Sequence, residues 1–203
     1  DFLNEIVLKQ YPDFFSNFKQ EFGIDIFKKL GDEYISKIRG LSKKSLRIID
    51  KNPSNFKLIG LIKLILPNSK IILCKRNPRD NFLSIYKNFF SNTDLNYAYD
   101  PKEISEYYSL YYDLISYWKK ILPNFIYELD YEKLTQHPTA QIKNLINYCN
   151  LEWNNSCLEF YKNKRPVKTA SFAQVRKKIY KTSVNSWRNY EKYLKDFFRQ
   201  LPK

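Results

Sequence analysis

The chain has no methionine, one histidine, three cysteines and only four glycines in 203 residues. Each scarcity excludes something. Cys74, Cys149 and Cys157 are odd in number and lack C-x-x-C spacing, so neither a zinc knuckle nor a disulfide framework is indicated. Reduced, buried thiols are expected, and no metal. His137 stands directly before Pro138, which suits a helix entry better than a catalytic role. Apolar runs of about 18 residues are absent and the start, DFLNEIVLKQ, is no signal peptide. A membrane span and secretion are therefore not expected, and a cytoplasmic setting is. A chain without any methionine reads as an excerpt of something longer.

Negative charge is scarce at one end in particular. From Lys162 to Lys203 there are 13 basic residues against Glu191 and Asp196, so this last fifth carries +11 of the net +14. Exposed lysine often merely solvates a surface, but clustering on this scale reads as a segment that faces an anion. With 43% hydrophobic and 17% aromatic residues, the chain can bury a sizeable core, and one domain is the default.

Apolar positions at Phe2, Ile6, Phe14, Phe18, Phe22, Ile26, Phe27 and Leu30 have helical spacing, broken by Pro12 and Gly23. Leu46 to Ile49 is a brief strand candidate ending at Asp50 and Lys51. Pro53 and the periodic Phe56, Ile59, Leu61, Ile62 and Ile65 then predict a helix, stopped by Pro67 and Asn68. Lys70 to Cys74 predicts a strand and Arg79 to Phe90 a helix, so a parallel βαβ unit is expected. Asp94 to Asp100 reads as a loop, and Pro101 opens a long aromatic helix to about Leu122. A strand over Asn124 to Leu129 and helices over Pro138 to Cys149, Asn154 to Lys162 and Trp187 to Leu201 complete the pattern. Lys164 to Ser186 has no clear period.

Three strands ending in polar clusters (Asp50 and Lys51, Arg76, Asp130 and Tyr131) would place those clusters at the carboxyl edge of one sheet, where open α/β folds bind ligands. The corner LCKRNPRDNFLSIY between Leu73 and Tyr86 brings a guanidinium, a hydroxyl and a helix N-terminus around one anion. Arg76 offers a planar fork of donors to a phosphate, a contact worth about 1.5 to 3 kcal/mol. Ser84 would add a neutral donor. A salt bridge from Arg76 to Asp80, and an idle or back-bonding hydroxyl at Ser84, are the plainer alternatives. Lys51 is a mobile charge suited to an oxygen that gains charge during reaction.

The stretch DKNPSNFKLIGLIKLILPNSKIILCKRNPRDNFLSIY, followed by NYAYD, YYDLISYWKKILPN, LDYEKL and TASFAQVRKKIYKTSVNSWRNYEKYL, resembles bacterial sulfotransferases that often follow tetratricopeptide repeats. These are similar in turn to the tyrosylprotein sulfotransferases. The resemblance covers about residues 41–203, with residues 1–40 as a helical segment packing on the same domain. It implies an α/β, P-loop-like, three-layer fold in which a parallel sheet is flanked by helices. Only the C-terminal portion of that domain would be present, with the N-terminal strand and the Gly-rich phosphosulfate loop missing.

The implied activity is transfer of a sulfonate group from 3′-phosphoadenosine 5′-phosphosulfate (PAPS) to an acceptor hydroxyl on a peptide, commonly tyrosine, or on a sugar. By the resemblance, Arg76 and Ser84 match the pair that grips the 3′-phosphate. Tyr131 matches a residue lining the nucleotide site, though without the match it is an ordinary half-buried aromatic. Lys51 matches a lysine that stabilises charge on the sulfonate, and Ser171 a serine touching the same group. Ser171 to Tyr180 matches the segment that wraps the nucleotide, with Gln174, Val175 and Lys177 as contacts. Trp187 fits a packing anchor.

The departures are specific. No PRSGT-like turn occurs, no position inherits the general-base glutamate, and Asn88 and Ser186 stand where the tyrosine enzymes carry basic residues. A nucleotide-binding but inactive fragment or pseudoenzyme is therefore the main alternative. A basic, aromatic chain that stacks single-stranded nucleic acid is a weaker one, because the charge follows the sulfotransferase motif.

Overall fold

The computed structural model describes residues 3, 5, 6, 24–42, 44–90, 93–164 and 174–202. Contacts divide the chain into two units, Asp1–Ser69 and Lys70–Lys203. Each is built on a different element.

In the first unit, helix α1 spans Ile24–Arg39, with Asp25 in its first turn and Lys37 and Arg39 in its last, signs that complement the helix dipole. Leu30 and Tyr34 on it are buried. The remaining helical expectations over residues 1–40 are described at Leu3, Glu5 and Ile6, whereas Phe2, Phe14, Phe18 and Phe22 lie outside the described residues. A 3-10 helix over Pro53–Leu58 begins with Asn52, whose Oδ1 accepts the Ser54 N–H at 3.0 Å. It leads into helix α2, Ile59–Ile65, where Ile59, Leu61, Ile62 and Ile65 are all buried. A helix apolar on most sides belongs inside a core. Gly31 of α1 lies so close to the Ile65 carbonyl that a Cβ would overlap it.

Leu46 to Ile49 does not become a strand. It forms no ladder, and Leu46 and Ile49 remain 91% and 88% exposed. A short apolar run turns into a strand only where another edge satisfies its backbone groups, and sequence cannot supply that edge.

The second unit is built on a parallel pair. Strand β1, Ile71–Lys75, faces strand β2, Ile126–Asp130, with Ile71 opposite Ile126 and Lys75 opposite Asp130. The expected three-strand edge is thus two-stranded among the described residues, and the parallel partner of β1 comes from 55 residues downstream, not from the preceding apolar run. Between the two strands run helix α3, Pro78–Tyr86, a 3-10 helix over Thr93–Tyr99 where a loop was expected, and helix α4, Pro101–Ile121. Asp100 caps α4 by accepting the N–H groups of Lys102 and Glu103 at 2.7 and 3.2 Å. Asn124 takes φ of 64° before β2, a left-handed conformation that asparagine tolerates.

After β2 the chain enters an unanticipated helix α5, Tyr131–Gln136, then α6, Pro138–Tyr148, and a 3-10 helix over Asn155–Lys162. A 3-10 turn over Ser186–Tyr190 precedes helix α7, Glu191–Gln200. Phe82 and Leu83 of α3, Ile104 of α4, Trp187, Phe198 and Leu201 form one buried cluster. Phe198 meets Phe82 and Trp187 edge-on, at 5.6 and 5.8 Å between ring centres. Each such side chain contributes about 1.5 to 3 kcal/mol on full burial, so the C-terminal helix is fastened to the helix that follows β1. The three cysteines are free as expected, but none is fully buried and Cys74 is exposed on the two-stranded sheet.

Candidate functional site

Because β1 and β2 are parallel and in register, the residues that follow them emerge side by side at the carboxyl edge. Arg76 follows β1 and Tyr131 follows β2, and the Arg76 guanidinium carbon lies 5.2 Å from the Tyr131 ring centre. Between them the chain turns sharply into α3. Asn77 caps that helix by accepting the Arg79 N–H at 3.0 Å, Pro78 occupies the first helical position, and Asn77 N–H donates to Glu132 Oε1 at 3.0 Å. The corner is therefore tied to α5 as well as to β1.

A third segment closes on the pair. Arg76 Nη2 donates to the Ser183 carbonyl at 2.8 Å, and the Ser183 hydroxyl shares a 2.7 Å hydrogen bond with the Tyr131 hydroxyl. Arg76 Nε is buried and has no partner among the described residues. The carboxyl edge of the pair thus carries one buried guanidinium donor that no described residue satisfies.

The salt bridge from Arg76 to Asp80 is absent. Asp80 is 0% exposed, and its carboxylate is taken by Asn185 N–H at 2.7 Å, Ser186 Oγ–H at 2.9 Å and Trp187 N–H at 3.0 Å. Arg79 lies over the Trp187 ring at 4.4 Å and reaches Glu191 at 4.0 Å. Two basic residues of one short motif thus have opposite tasks, one turned to packing and one left with an open nitrogen.

The structure places the other sequence candidates as follows. Ser84 is half-buried on α3, two turns beyond Asn77. Gln174 and Lys177 are exposed and Val175 half-buried, in a turn closed by Lys177 N–H to the Gln174 carbonyl at 3.1 Å. Ser171 lies outside the described residues. Lys51 is exposed in the first unit, beside Asp50, which accepts the Tyr34 hydroxyl at 2.7 Å. Sequence reasoning missed Ser183 and the task of Asp80, since their partners are about a hundred residues distant and no local pattern marks them. Among the described residues no cluster of three metal-ligating side chains occurs, and no helix is long and apolar enough to cross a membrane.

Residues 8–155 match the sulfotransferase family, well over half of the chain. The chain belongs to the sulfotransferase family. It is also 40% identical over 188 residues to a protein of Aquifex aeolicus (strain VF5) described as uncharacterized, an alignment that takes in 92% of this chain and 24% of that protein. The chain thus spans about a quarter of that relative's length. Within the sulfotransferase match lie Lys51, Arg76, Ser84 and Tyr131, whereas Ser183 and the basic stretch that leads to it lie beyond residue 155. The fold, rather than the family match, joins that stretch to Arg76.

Proposed function

We propose that this sulfotransferase chain binds PAPS at the carboxyl edge of the β1–β2 pair and takes part in transfer of its sulfonate to an acceptor hydroxyl. The observation that carries the reading is the buried, unpartnered Nε of Arg76, with the guanidinium beside Tyr131 and just ahead of α3. A guanidinium with an unfilled donor suits a phosphate oxygen. In this reading Arg76 and Ser84 hold the 3′-phosphate, Tyr131 lines the nucleotide, and Gln174, Val175 and Lys177 lie along it with Ser171.

Chemically, the acceptor oxygen forms a bond to sulfur as the bridging sulfur–oxygen bond breaks, and 3′-phosphoadenosine 5′-phosphate leaves with the electron pair. The acceptor proton passes to a base. By its resemblance to the family's lysine, Lys51 is the residue to test for answering the charge that builds on the sulfonate oxygens. A tyrosine phenol is the first acceptor to test, followed by sugar hydroxyls.

Calorimetry with 3′-phosphoadenosine 5′-phosphate tests the reading. Arg76→Ala in the intact protein should weaken binding by about tenfold or more, the value of one charge-assisted contact. Unchanged affinity overturns the assignment of Arg76, and no binding by the unaltered protein overturns the nucleotide site itself.

A further inference from the structure

We propose that Asp80 is a positioning residue for the nucleotide site: its carboxylate fixes residues 185–187 and through them sets Ser183 against Arg76 and Tyr131. The inference rests on the nucleotide reading above and adds a residue that touches no ligand.

A fully buried carboxylate persists only where donors replace its water. Asp80 draws all three of its donors from one turn. Oδ2 accepts Asn185 N–H, while Oδ1 accepts Ser186 Oγ–H and Trp187 N–H. Asn185 takes φ of 61°, the left-handed conformation that turns the chain into the 3-10 helix beginning at Ser186. Trp187 then enters the core against Phe198, with Arg79 over its ring. This end of the turn is held by three hydrogen bonds and a buried ring.

Two residues before Asn185 stands Ser183, with its carbonyl on Arg76 and its hydroxyl on Tyr131. Val184 N–H bonds the Lys181 carbonyl at 3.0 Å, so the turn is closed on its other side as well. The basic run Arg176, Lys177, Lys178 and Lys181 leads directly into it. Moving residues 185–187 would therefore shift the group that orients Arg76 and redirect those cations. Asp80 touches neither Arg76 nor Tyr131 in the hydrogen bonds described; it acts through Ser183.

Asp80→Asn puts an amide N–H against a backbone donor and tests the idea in the intact protein. Calorimetry would compare 3′-phosphoadenosine 5′-phosphate with adenosine 5′-phosphate, and trypsin would probe the basic run. The expected result is about a tenfold or greater loss for the 3′-phosphorylated ligand with about a twofold change or less for the other, one lost charge-assisted contact at the 3′ end. Cleavage after Arg176, Lys177, Lys178 and Lys181 should quicken relative to cleavage in α4. Equal losses for both nucleotides with unaltered cleavage would make Asp80 an ordinary core residue and overturn the proposal. If Asp80→Asn does not fold, Ser186→Ala leaves the charge and both backbone donors in place. It should move both readouts the same way by a smaller factor, and no movement overturns the proposal. An unaltered protein that binds neither nucleotide defeats the nucleotide reading alone, and the trypsin comparison then decides the anchoring by itself.

Discussion

The Tyr34 hydroxyl donates a 2.7 Å hydrogen bond to Asp50 Oδ2, which joins the buried face of α1 to the residue immediately before Lys51. Burial, followed by the bond to Asp50 and its charge, pushes the Tyr34 phenol well above the usual tyrosine range. The bond ties Asp50 to α1 within a stretch that is otherwise mostly exposed.

Tyr34→Phe should lower stability by about 0.5 to 1.5 kcal/mol, because Asp50 is exposed and regains water when the hydroxyl goes. Urea unfolding measures it. A loss above that range would show that the ring itself had been displaced. In enzyme assays Lys51→Ala should reduce turnover far more than nucleotide affinity, and Tyr34→Phe should follow it more weakly. A Lys51→Ala protein with normal turnover would remove that lysine from the mechanism.

Alkaline pH should destabilise the fold. Burial raises the Tyr97 and Tyr108 phenols and pushes Tyr111 up to about 12, and burial also raises Tyr148. An unfolded tyrosine ionises near pH 10, so above about pH 10 the unfolded chain has lost protons that the folded chain still holds. Stability is therefore full below that point and falls as pH climbs through the folded values. Urea unfolding at about pH 8 and about pH 11 should show the midpoint dropping, with tyrosinate absorbance rising as the protein opens. A flat midpoint would contradict the burial of these rings.

Gly31→Ala should destabilise the first unit by about 1 to 3 kcal/mol despite alanine's better helix propensity. The added Cβ meets the Ile65 carbonyl, and backbone cannot rotate aside as a side chain can. Thermal unfolding of the variant checks this. A rise in midpoint would mean that α1 and α2 do not approach so closely.

Glu128 sits between Lys119 at 2.8 Å and Lys75 at 3.3 Å. Burial alone would raise its carboxyl, but the hydrogen bond and charge of Lys119 and the charge of Lys75 together lower it. Such a carboxylate adds stability above its unfolded value, and the gain disappears as pH falls through the lowered folded value. Glu128→Gln should cost less than about 1 kcal/mol at neutral pH, the usual worth of a partly exposed pair. The difference between variant and parent should vanish in acid. Unfolding curves at about pH 7 and about pH 3 compare the two directly.

Local rules were readable in the chain. Pro101 after Asp100 predicts the start of α4, and the cap forms with two hydrogen bonds. The β1 strand and the α3 corner also follow from short-range pattern, because capping and periodicity need only neighbours in sequence. Leu46 to Ile49 shows the limit, since nothing inside four apolar residues says whether a partner strand will come to them. Asp80 shows it again. Read alone it was a plausible partner for Arg76, whereas in the fold it serves a turn more than a hundred residues away.

The sequence by itself determined where the long helix α4 begins, at Pro101, which residues could be apolar core, and that Arg76 stands at a corner suited to an anion. Tertiary structure decided which parallel strand lies beside β1, which acid meets which donor, and that Ser183 reaches Arg76 and Tyr131. The reason is physical. Caps and periodicity are satisfied within one or two turns of chain, but a buried charge takes whichever donors the folded backbone delivers, and distance along the sequence carries no record of that choice.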